Sequence, residues 1–354
     1  MKFTIPQKEL ISALKKVKPV VTLKCVVPCL TCGFIEAKGD TISITGSNGD
    51  QRITVTTKGN IKTEGATLIP FERLINLIDR LSGEVTISTD EKSQSFIVAG
   101  NDKSRLSGLS DESYPEKSEL GKPVDSFKDQ FGVISRALNK VKSAISTDQS
   151  RGILNGVNLT SIDGTLSVAA TNGRSLHLVK TELECKSKSI IPFDAVNSLA
   201  ELFPQSVEYE IYENRIIAKA DGISYMTKLI EGTFPNFTQI IPAKSDALTF
   251  DREEILRALS VISSTLDMDN KVKIESTLTG VTISSSVHET GETSTYIAGK
   301  QTLETTVVLS KQFLRDAIMA TDAEQIRFEA GDGSVSCVMR DDDFLAVIAP
   351  MRVK

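Results

Sequence analysis

Three cysteines near the amino end have the spacing in this sequence most suited to a reactive site. Cys25-x-x-x-Cys29-x-x-Cys32 could place three thiolates around an iron–sulfur cluster and leave the fourth iron open. However, Thr31 stands where such a motif usually has an aromatic residue, and no alternating β-α series follows. If Cys29 to Glu36 forms a strand, Cys29 and Cys32 also point to opposite faces. We therefore interpret the three cysteines as small, buried or half-buried thiols.

Metal and nucleotide chemistry has little support elsewhere in the sequence. The only two histidines, His177 and His288, lie in strand-like runs far from the cysteines, so a histidine-dependent site is not expected. Asp341-Asp342-Asp343 could bind Mg²⁺, but solvated turn charge is the better interpretation. No Gly-rich loop ends in Lys-Ser or Lys-Thr, and Gly331-Asp332-Gly333 fits a hairpin turn. We predict no metal, no cofactor and no catalytic residue.

Basic residues recur on the predicted helices, mostly on the side away from the apolar stripe. The positions are Lys8 and Lys15, Arg73 and Arg80, Arg136 and Lys140, and Arg257. On a single helix a solvated charged face is the default, but recurrence in equivalent helices favours a common basic surface. Lys and Arg contacts to phosphates position a protein on DNA without reading its bases. With 14 Phe, 5 Tyr and no Trp for base stacking, we expect double-stranded rather than single-stranded nucleic acid.

Length, charge and cysteine content limit the class of protein. The 354 residues favour two or three domains, and 40% hydrophobic with 25% charged residues is ordinary for a globular protein. A net charge of −5 argues against indiscriminate wrapping of nucleic acid but allows a local basic surface. No apolar run is long enough to span a bilayer, and the amino end lacks an apolar signal core. Five cysteines without such a signal favour a reducing cytoplasm.

Six strand–helix starts would position the basic residues. Pro6 and Pro70 are each predicted to begin a helix after a short strand, and the fourth helix is predicted at about Asp194 to Phe203. Asp251 and Ser310 are expected to cap the fifth and sixth helices. The fourth helix is weakly patterned, but the other five carry apolar stripes: Leu10, Leu14 and Val17; Leu74, Leu77, Ile78 and Leu81; Ile134, Leu138, Val141 and Ile145; Ile255, Leu259 and Ile262; and Leu314 and Ile318. Asp163-Gly164 predicts a tight hairpin turn.

The chain repeats itself at a distance of 124 residues. Ala13-Leu14-Lys15-Lys16-Val17-Lys18 returns as Ala137-Leu138-Asn139-Lys140-Val141-Lys142, and Asn48-Gly49 returns as Asn172-Gly173. A repeat of this length is a whole domain. The part from about Ala247 has the same order of elements with less identity. We predict three domains at 1–122, 123–244 and 245–354, with boundaries at Gly121-Lys122-Pro123 and Pro242-Ala243-Lys244.

Four separated motifs make the sequence resemble the bacterial DNA polymerase III beta subunit family, the beta sliding clamps, over its whole length. They are Arg151-Gly152-Ile153-Leu154-Asn155-Gly156, Ala170-Thr171-Asn172-Gly173-Arg174-Ser175-Leu176, Lys228-Leu229-Ile230-Glu231-Gly232-Thr233-Phe234-Pro235-Asn236-Phe237 and Pro350-Met351-Arg352. The resemblance implies an α+β fold of three repeated DNA-clamp domains, each a doubled β-α-β-β-β unit. It also implies a closed ring, formed by a head-to-tail homodimer with twelve helices around the hole.

The implied function is that of a cytoplasmic, non-catalytic processivity factor of DNA replication. Such a ring encircles duplex DNA and tethers the replicative polymerase. The implied partners are double-stranded DNA, a second copy of the chain, the DNA polymerase III alpha subunit, the clamp loader and other clamp-motif proteins. The expected DNA contacts are Lys24, Arg73, Arg136, Lys140, Gln149 and Arg257.

The resemblance further implies a pocket for short partner peptides between the second and third domains. Its residues would be Leu154, Thr171, Gly173, Arg174, Leu176, Pro235, Ile240, Val347, Ile348, Pro350, Met351 and Arg352. Ser175 and Gln239 depart from the family pattern, where charged residues are frequent, so motif preference is expected to differ. The dimer interface would join the edge strand containing Arg105 and Leu106 to the helix around Val261 and Ile262.

Two alternatives from other classes stay open at this point. One is an iron–sulfur radical enzyme that uses Cys25, Cys29 and Cys32. The other is a monomeric adaptor built from repeats, with no ring. Iron content in the purified protein would identify the first, and molecular size in solution would identify the second.

Overall fold

A computed structural model describes residues 1–22, 25–115, 120–265, 270–287, 291–331 and 335–351. Within these ranges lie six α-helices and 25 β-strands. Each helix follows one strand and precedes three more, so the chain consists of six strand–helix–three-strand modules. One additional strand separates the first two modules. The predicted α+β fold of doubled β-α-β-β-β units is therefore confirmed.

The first two modules occupy the amino-terminal third. The first consists of β1 (Lys2–Pro6), α1 (Gln7–Val17), β2 (Cys32–Lys38), β3 (Thr41–Ser47) and β4 (Gln51–Lys58). The additional strand is β5 (Asn60–Thr63), and the second module consists of β6 (Gly65–Pro70), α2 (Phe71–Ile78), β7 (Glu84–Thr89), β8 (Gln94–Ala99) and β9 (Asp102–Ser107). Helices α1 and α2 begin one residue after the predicted prolines, because Pro6 and Pro70 are the N-cap residues.

The third and fourth modules repeat this order. The third consists of β10 (Asp125–Asp129), α3 (Val133–Val141), β11 (Gly156–Ile162), β12 (Thr165–Thr171) and β13 (Ser175–Glu184). The fourth consists of β14 (Ser189–Pro192), α4 (Phe193–Leu202), β15 (Val207–Ile211), β16 (Arg215–Ala220) and β17 (Ile223–Lys228). The turn between β11 and β12 is the predicted one, since Asp163 and Gly164 both have positive φ, at 53° and 86°, as a type I′ hairpin requires.

The last two modules complete the chain. The fifth consists of β18 (Ala247–Asp251), α5 (Arg252–Val261), β19 (Lys271–Thr277), β20 (Gly280–Val287) and β21 (Gly291–Ala298). The sixth consists of β22 (Thr305–Ser310), α6 (Lys311–Ala320), β23 (Gln325–Glu329), β24 (Cys337–Asp341) and β25 (Phe344–Ile348). The Asp251 carboxylate caps α5 by accepting from the N–H groups of Glu253 and Glu254. Ser310 precedes α6 but makes no capping hydrogen bond through its side chain.

The modules group into two compact units. One contains residues 1–132 and 201–229, and the other contains 133–200 and 230–354. In the first unit a five-stranded sheet has the order β5-β1-β7-β8-β9, and an eight-stranded sheet has the order β10-β15-β16-β17-β4-β3-β2-β6. In the second unit the eight-stranded sheet is β14-β11-β12-β13-β25-β24-β23-β18, and the four-stranded sheet is β21-β20-β19-β22. Each eight-stranded sheet thus contains strands of four modules, and at its centre the last three strands of two modules from different predicted domains lie side by side.

The apolar stripes of the helices form the cores, as predicted. On α1, Leu10, Leu14 and Val17 are fully buried. On α3, Ile134 and Leu138 are equally buried. Leu77 is only half-buried, and Leu81 lies beyond the end of α2. None of the helices in the described ranges combines the length and apolar character needed to cross a membrane.

The condition under which Cys29 and Cys32 would point to opposite faces of one strand is not met. Pro28–Thr31 forms a 3-10 turn, and β2 starts only at Cys32. Proline fixes a helical φ and suits the first position of such a turn. Cys29 and Cys32 are nevertheless both buried, whereas Cys25 is exposed, and all five cysteines are free thiols. In the described part of the chain, no three His, Cys, Asp or Glu side chains are grouped so as to hold a metal ion.

Candidate nucleic-acid and partner-binding sites

The basic positions on the helices are mostly exposed. Lys8, Arg73, Arg136 and Arg257 are all exposed on their respective helices, α1, α2, α3 and α5. Their exposure follows from the buried stripes, because residues on the opposite side of an amphipathic helix face water. Lys15 is also exposed, but its ammonium lies 3.1 Å from the Asp79 carboxylate. The prediction of DNA contact at these positions stays a prediction.

Lys140 has a different environment from the other basic positions. Its Nζ atom lies 3.0 Å from Oδ1 of Asp343, and its side chain is only 18% exposed. Asp343 belongs to the turn between β24 and β25, so the acidic turn is partly neutralised rather than only solvated. A phosphate at Lys140 would compete with this carboxylate. The ion pair is half-exposed, and such pairs contribute on the order of 0.2–1 kcal/mol.

His177 lies beneath the same helix and is fully buried on β13. Its Nδ1 atom is 3.1 Å from the Lys140 carbonyl oxygen and 3.4 Å from Ser143 Oγ. Burial lowers the pKa of His177 to about 4, partly offset by the hydrogen bond with Lys140. The ring packs edge-on against Phe344, with centroids 5.3 Å apart. His177 is therefore a neutral core residue at neutral pH, in agreement with its interpretation as an ordinary strand position.

Two predicted DNA contacts remain, Gln149 and Lys24. Gln149 is exposed at the start of the 3-10 segment Gln149–Leu154. Asp148 caps this segment, and hydrogen bonds from Ser150 lower the pKa of the Asp148 carboxyl group. Lys24 lies outside the described residues, as does His288.

A hydrogen-bonded turn between β12 and β13 forms one wall of the predicted peptide pocket. Thr171 Oγ1 donates to the Ser175 carbonyl oxygen at 2.7 Å and accepts from the Gly173 N–H at 3.1 Å. Asn172 Oδ1 accepts from the N–H groups of Arg174 and Ser175 at 2.9 and 2.8 Å. Gly173 has φ of +85°, which residues with a Cβ atom rarely adopt. The turn is fixed by local chemistry.

Strand register brings distant pocket residues together beside this turn. Thr171 pairs with Leu176, and Leu176 in turn pairs with Val347 on β25. Leu176 and Val347 are buried in one apolar cluster with Ala169, Leu178, Phe237 and Val338, and half-buried Ile162, Phe234, Ile241 and Leu345 pack against it. Ile348 follows Val347 directly and so points to the other face of the sheet. The structure therefore does not bring Ile348 to the same surface as Val347.

The other predicted pocket residues surround this cluster at lower burial. Leu154, Pro350 and Met351 are half-buried, whereas Pro235 and Arg174 are exposed. Ile240 is 54% exposed at the end of the 3-10 turn Phe237–Ile240. The carboxyl-terminal strand extension is attached at two points, because the N–H of Ala349 donates to Arg174 O and that of Met351 donates to Val308 O. Arg352 lies outside the described residues.

Three residues that position the pocket were not predicted. The Arg151 guanidinium lies 3.4 Å from both the Asn172 carbonyl oxygen and the Asp148 carboxylate, tying the 3-10 segment to the turn. Arg340 forms an ion pair with Glu329 at 3.1 Å and donates to Pro242 O at 2.7 Å. Phe237 is 5% exposed in the apolar cluster. Arg151 and Phe237 lie within the motifs that carried the resemblance, but Arg340 had no recognisable sequence signal.

The predicted dimer residues lie at one sheet edge and one helix end. Arg105 and Leu106 are on β9, the edge strand of its sheet. Val261, the last residue of α5, is 44% exposed. Ile262 is fully buried within its own chain, so Val261 is the member of this pair that a partner could contact.

Family models and relatives agree on what the chain resembles. Residues 1–118 match the family model of the DNA polymerase III beta subunit, N-terminal domain, and residues 130–236 match the model of its central domain. Together the two matches cover more than half of the chain. The chain belongs to the DNA polymerase III beta subunit family. Beta sliding clamps of Staphylococcus epidermidis and Staphylococcus aureus are 25% identical to it, over 99% of both chains in each case. Members of this family are processivity factors of DNA replication and not enzymes, and this is the function of the chain.

Solved clamp structures have the same fold over the full length. A sliding clamp from Bacillus subtilis is 23% identical with a TM-score of 0.93, and each chain is covered completely. A sliding clamp from Pseudomonas aeruginosa bound to griselimycin is 21% identical with a TM-score of 0.95, also at complete coverage. A clamp from Bartonella birtlesii bound to griselimycin is 25% identical, with a TM-score of 0.93 and complete coverage. The clamp fold is therefore reached at low sequence identity.

Proposed function

We propose that the protein acts as a head-to-tail homodimeric ring that encloses duplex DNA in the cytoplasm and tethers the replicative polymerase to it. The observation that carries this proposal is that the final strands of the modules pair with one another in the same way. The final strand of the fourth module, β17, pairs antiparallel with the final strand of the first, β4. In the same way β25, the final strand of the sixth module, pairs with β13, the final strand of the third.

Two final strands then have no such neighbour in the described sheets. They are β9 of the second module and β21 of the fifth, and each is the edge of its sheet. Pairing β9 of one copy with β21 of another would repeat the pattern a third time, and two such contacts would close a dimer in which neither β9 nor β21 is left as an exposed edge. Charge supports this pairing, because exposed Lys103 and Arg105 outnumber exposed Asp102 on β9, whereas the charged residue of β21 is exposed Glu292. Three domains at 1–122, 123–244 and 245–354 are part of the proposal.

Enclosure of the duplex would keep the protein on DNA, because its charges alone would bind DNA only weakly. The chain has a net charge of −5, and the exposed cations Arg73, Arg136 and Arg257, with Lys24, Lys140 and Gln149, would form weak phosphate contacts. Such contacts weaken with salt and permit sliding. The test is retention on DNA during gel filtration: the protein loaded on a nicked circular plasmid should stay bound and should be lost after the plasmid is cut. Equal retention on linear DNA would refute enclosure.

The dimer can be tested separately from the DNA. Val261→Lys introduces a charge at the proposed interface, and we expect the variant to sediment as a monomer. Val124 is 63% exposed outside the proposed interface, so Val124→Lys is the matched control and should stay dimeric. A dimeric Val261→Lys protein would count against the interface.

We further propose that the pocket around Leu176 and Val347 binds short peptides of the DNA polymerase III alpha subunit, the clamp loader and other clamp-motif proteins. An apolar cluster with half-buried, flexible Met351 at its rim suits several peptide sequences. Deleting residues 350–354 should abolish binding of a fluorescent polymerase-motif peptide and leave the dimer intact. Unchanged peptide affinity would refute the pocket.

A further inference from the structure

The first unit contains an open cleft on the face of β2, β3 and β4 that carries Phe34, Glu36 and Ser43. Its volume is about 600 Å³, and its wall is completed by the segment that follows β9. The lining residues are Phe34 and Glu36 on β2, Ser43 and Thr45 on β3, Arg52 on β4, and Asp111, Glu112, Tyr114 and Pro115. None of these residues belongs to the DNA, dimer or peptide sites described above.

The cleft occupies the position in the first repeat that the peptide pocket occupies in the second. The turn between β3 and β4 has the same hydrogen bonds: Ser47 Oγ donates to Gln51 O at 2.8 Å and accepts from the Gly49 N–H at 3.1 Å. Asn48 Oδ1 accepts from the next two N–H groups, as Asn172 does in the pocket. At the 124-residue offset, Arg52 corresponds to Leu176. Its cross-strand partner is Met226, where Leu176 has Val347.

The segment that covers the cleft is also repeated. Tyr114-Pro115 corresponds to Phe234-Pro235 at an offset of 120 residues. Tyr114 packs with Cys29, Leu30, Cys32, Leu68 and Phe34, much as Phe234 packs against the pocket cluster. The repeat has therefore built two equivalent clefts with different chemistry.

Two hydrogen-bond donors in the cleft have no acceptor among the described residues. They are the Tyr114 hydroxyl, on a residue only 9% exposed, and Nε of Arg52. The Arg52 guanidinium lies 5.6 Å from the centre of the Tyr114 ring, and its Nη2 donates to the Pro115 carbonyl at 3.1 Å. Burial raises the pKa of Tyr114 to about 12, so the hydroxyl keeps its proton at neutral pH. Buried donors usually have partners, and a backbone carbonyl would suit both groups.

Three carboxylates give the rim of the cleft a negative charge. Glu36, Asp111 and Glu112 are exposed, and none forms an ion pair with another residue in the described ranges. Glu36 accepts only a long hydrogen bond from Ser43 Oγ at 3.5 Å, and Asp111 accepts one from Ser110 Oγ at 3.4 Å. Arg52 is the one cation among the described residues that line the cleft, and its guanidinium already contacts Tyr114 and Pro115. The rim therefore complements a cationic side chain.

We infer that this cleft is a second peptide-binding site, which takes an extended segment with basic side chains from a partner protein. In this arrangement a peptide carbonyl accepts hydrogen bonds from Tyr114 and Arg52. An apolar or aromatic side chain of the peptide packs on the stacked rings of Phe34 and Tyr114, whose centroids are 5.0 Å apart. A Lys or Arg side chain of the peptide reaches the carboxylates at the rim. The comparison between the two clefts rests on the proposed peptide pocket. The two clefts would let one clamp subunit hold partners of opposite character, apolar in one site and basic in the other.

The test uses the full-length protein and two labelled probes, acetyl-Gly-Arg-Phe-Arg-Gly-amide and its counterpart with Glu in place of both Arg residues. Fluorescence anisotropy should show saturable binding of the basic probe and none of the acidic probe. The double variant Glu36→Lys, Glu112→Lys should raise the Kd of the basic probe at least about tenfold, because two attractive pairs become repulsive. Tyr114→Phe keeps the ring and should raise the Kd of the basic probe by about threefold, because one hydrogen bond to the peptide is lost.

Matched controls separate this site from general electrostatics and from the proposed pocket. Glu208→Lys and Glu182→Lys, combined in one protein, make the same change of charge at exposed positions away from the cleft and should leave the Kd within about twofold. Deletion of residues 350–354 should leave basic-probe binding unchanged. Equal affinity for both probes, an unaffected Glu36/Glu112 variant, or loss of binding on the deletion would overturn the inference. If the basic probe binds as expected but the polymerase-motif peptide does not bind, only the proposed pocket is overturned.

Discussion

The buried histidine makes the stability of this protein sensitive to mild acid in a predictable direction. His177 is fully buried, and its pKa is lowered by burial to about 4 from the ordinary value of 6.5. As the pH falls, the unfolded chain binds the proton first, so protonation favours unfolding. The contribution of neutral His177 is complete above pH 6.5 and is lost as the pH falls from 6.5 towards 4.

The expected magnitude follows from these two pKa values. At pH 5.0 nearly all unfolded chains but only about a tenth of folded chains carry the proton on His177, which corresponds to a loss of about 2 kcal/mol relative to pH 7.5. The full difference, reached below pH 4, is about 3 kcal/mol. A contribution of this size is a large part of the stability of an ordinary domain.

The assay is urea unfolding at pH 7.5 and at pH 5.0 for the wild type and His177→Gln. The glutamine amide can still donate to the Lys140 carbonyl oxygen but does not titrate. We therefore expect the variant to be somewhat less stable at pH 7.5 and to lose about 2 kcal/mol less than the wild type on acidification. Ser143→Ala removes the longer contact of His177 and keeps the imidazole, so it should retain the wild-type pH dependence. Identical acid sensitivity in the wild type and His177→Gln would refute the reasoning.

Three further predictions concern charge, backbone strain and capping. Asp343→Asn should release Lys140 for one additional phosphate contact. The slope of log affinity against log salt for duplex DNA should then steepen by about 0.9, or about 3.5-fold in affinity between 50 and 200 mM salt. Asp163→Asn makes the same charge change in the exposed turn between β11 and β12, and equal slopes for the two variants would place Lys140 away from DNA. Gly132→Ala should destabilise the protein by roughly 3 kcal/mol in thermal unfolding, because φ is +66° and the new Cβ would lie 2.1 Å from Pro204 O. Gly39 has φ of +61° and no atom within 4 Å of the new Cβ, so Gly39→Ala should lower the free energy of unfolding by only about 1 kcal/mol. Equal destabilisation by Gly132→Ala and Gly39→Ala would contradict the steric argument. Asp251→Ala should cost about 1–2 kcal/mol by removing two capping bonds, whereas Ser310→Ala, which removes no capping bond, should cost clearly less in the same assay.

Local signals predicted the elements of the fold well. The helix stripes, the Asp163-Gly164 turn and the Asp251 cap depend on residues close together in sequence, so periodicity and turn chemistry determine them. The 3-10 turn at Cys29 has a local cause as well, because Pro28 favours a helical turn over an extended strand. The pairing of Lys140 with Asp343 could not be predicted, since the two residues are 203 positions apart and meet only through packing of α3 beside the β24–β25 turn.

The sequence by itself determined the repeat, the six strand–helix starts, the pocket motifs and membership of the clamp family, because these depend on patterns that are read along the chain. Only the tertiary structure decided which strands meet. Pairing of β17 with β4 and of β25 with β13 carries each sheet across a predicted domain boundary and leaves β9 and β21 as edges. It also decided that Val347 is buried beside Leu176 while Ile348 points to the other face of the sheet, and that Tyr114 and Arg52 share a cleft with three carboxylates. The physical reason is that strand register and side-chain burial depend on contacts between segments far apart in sequence, which no local pattern records.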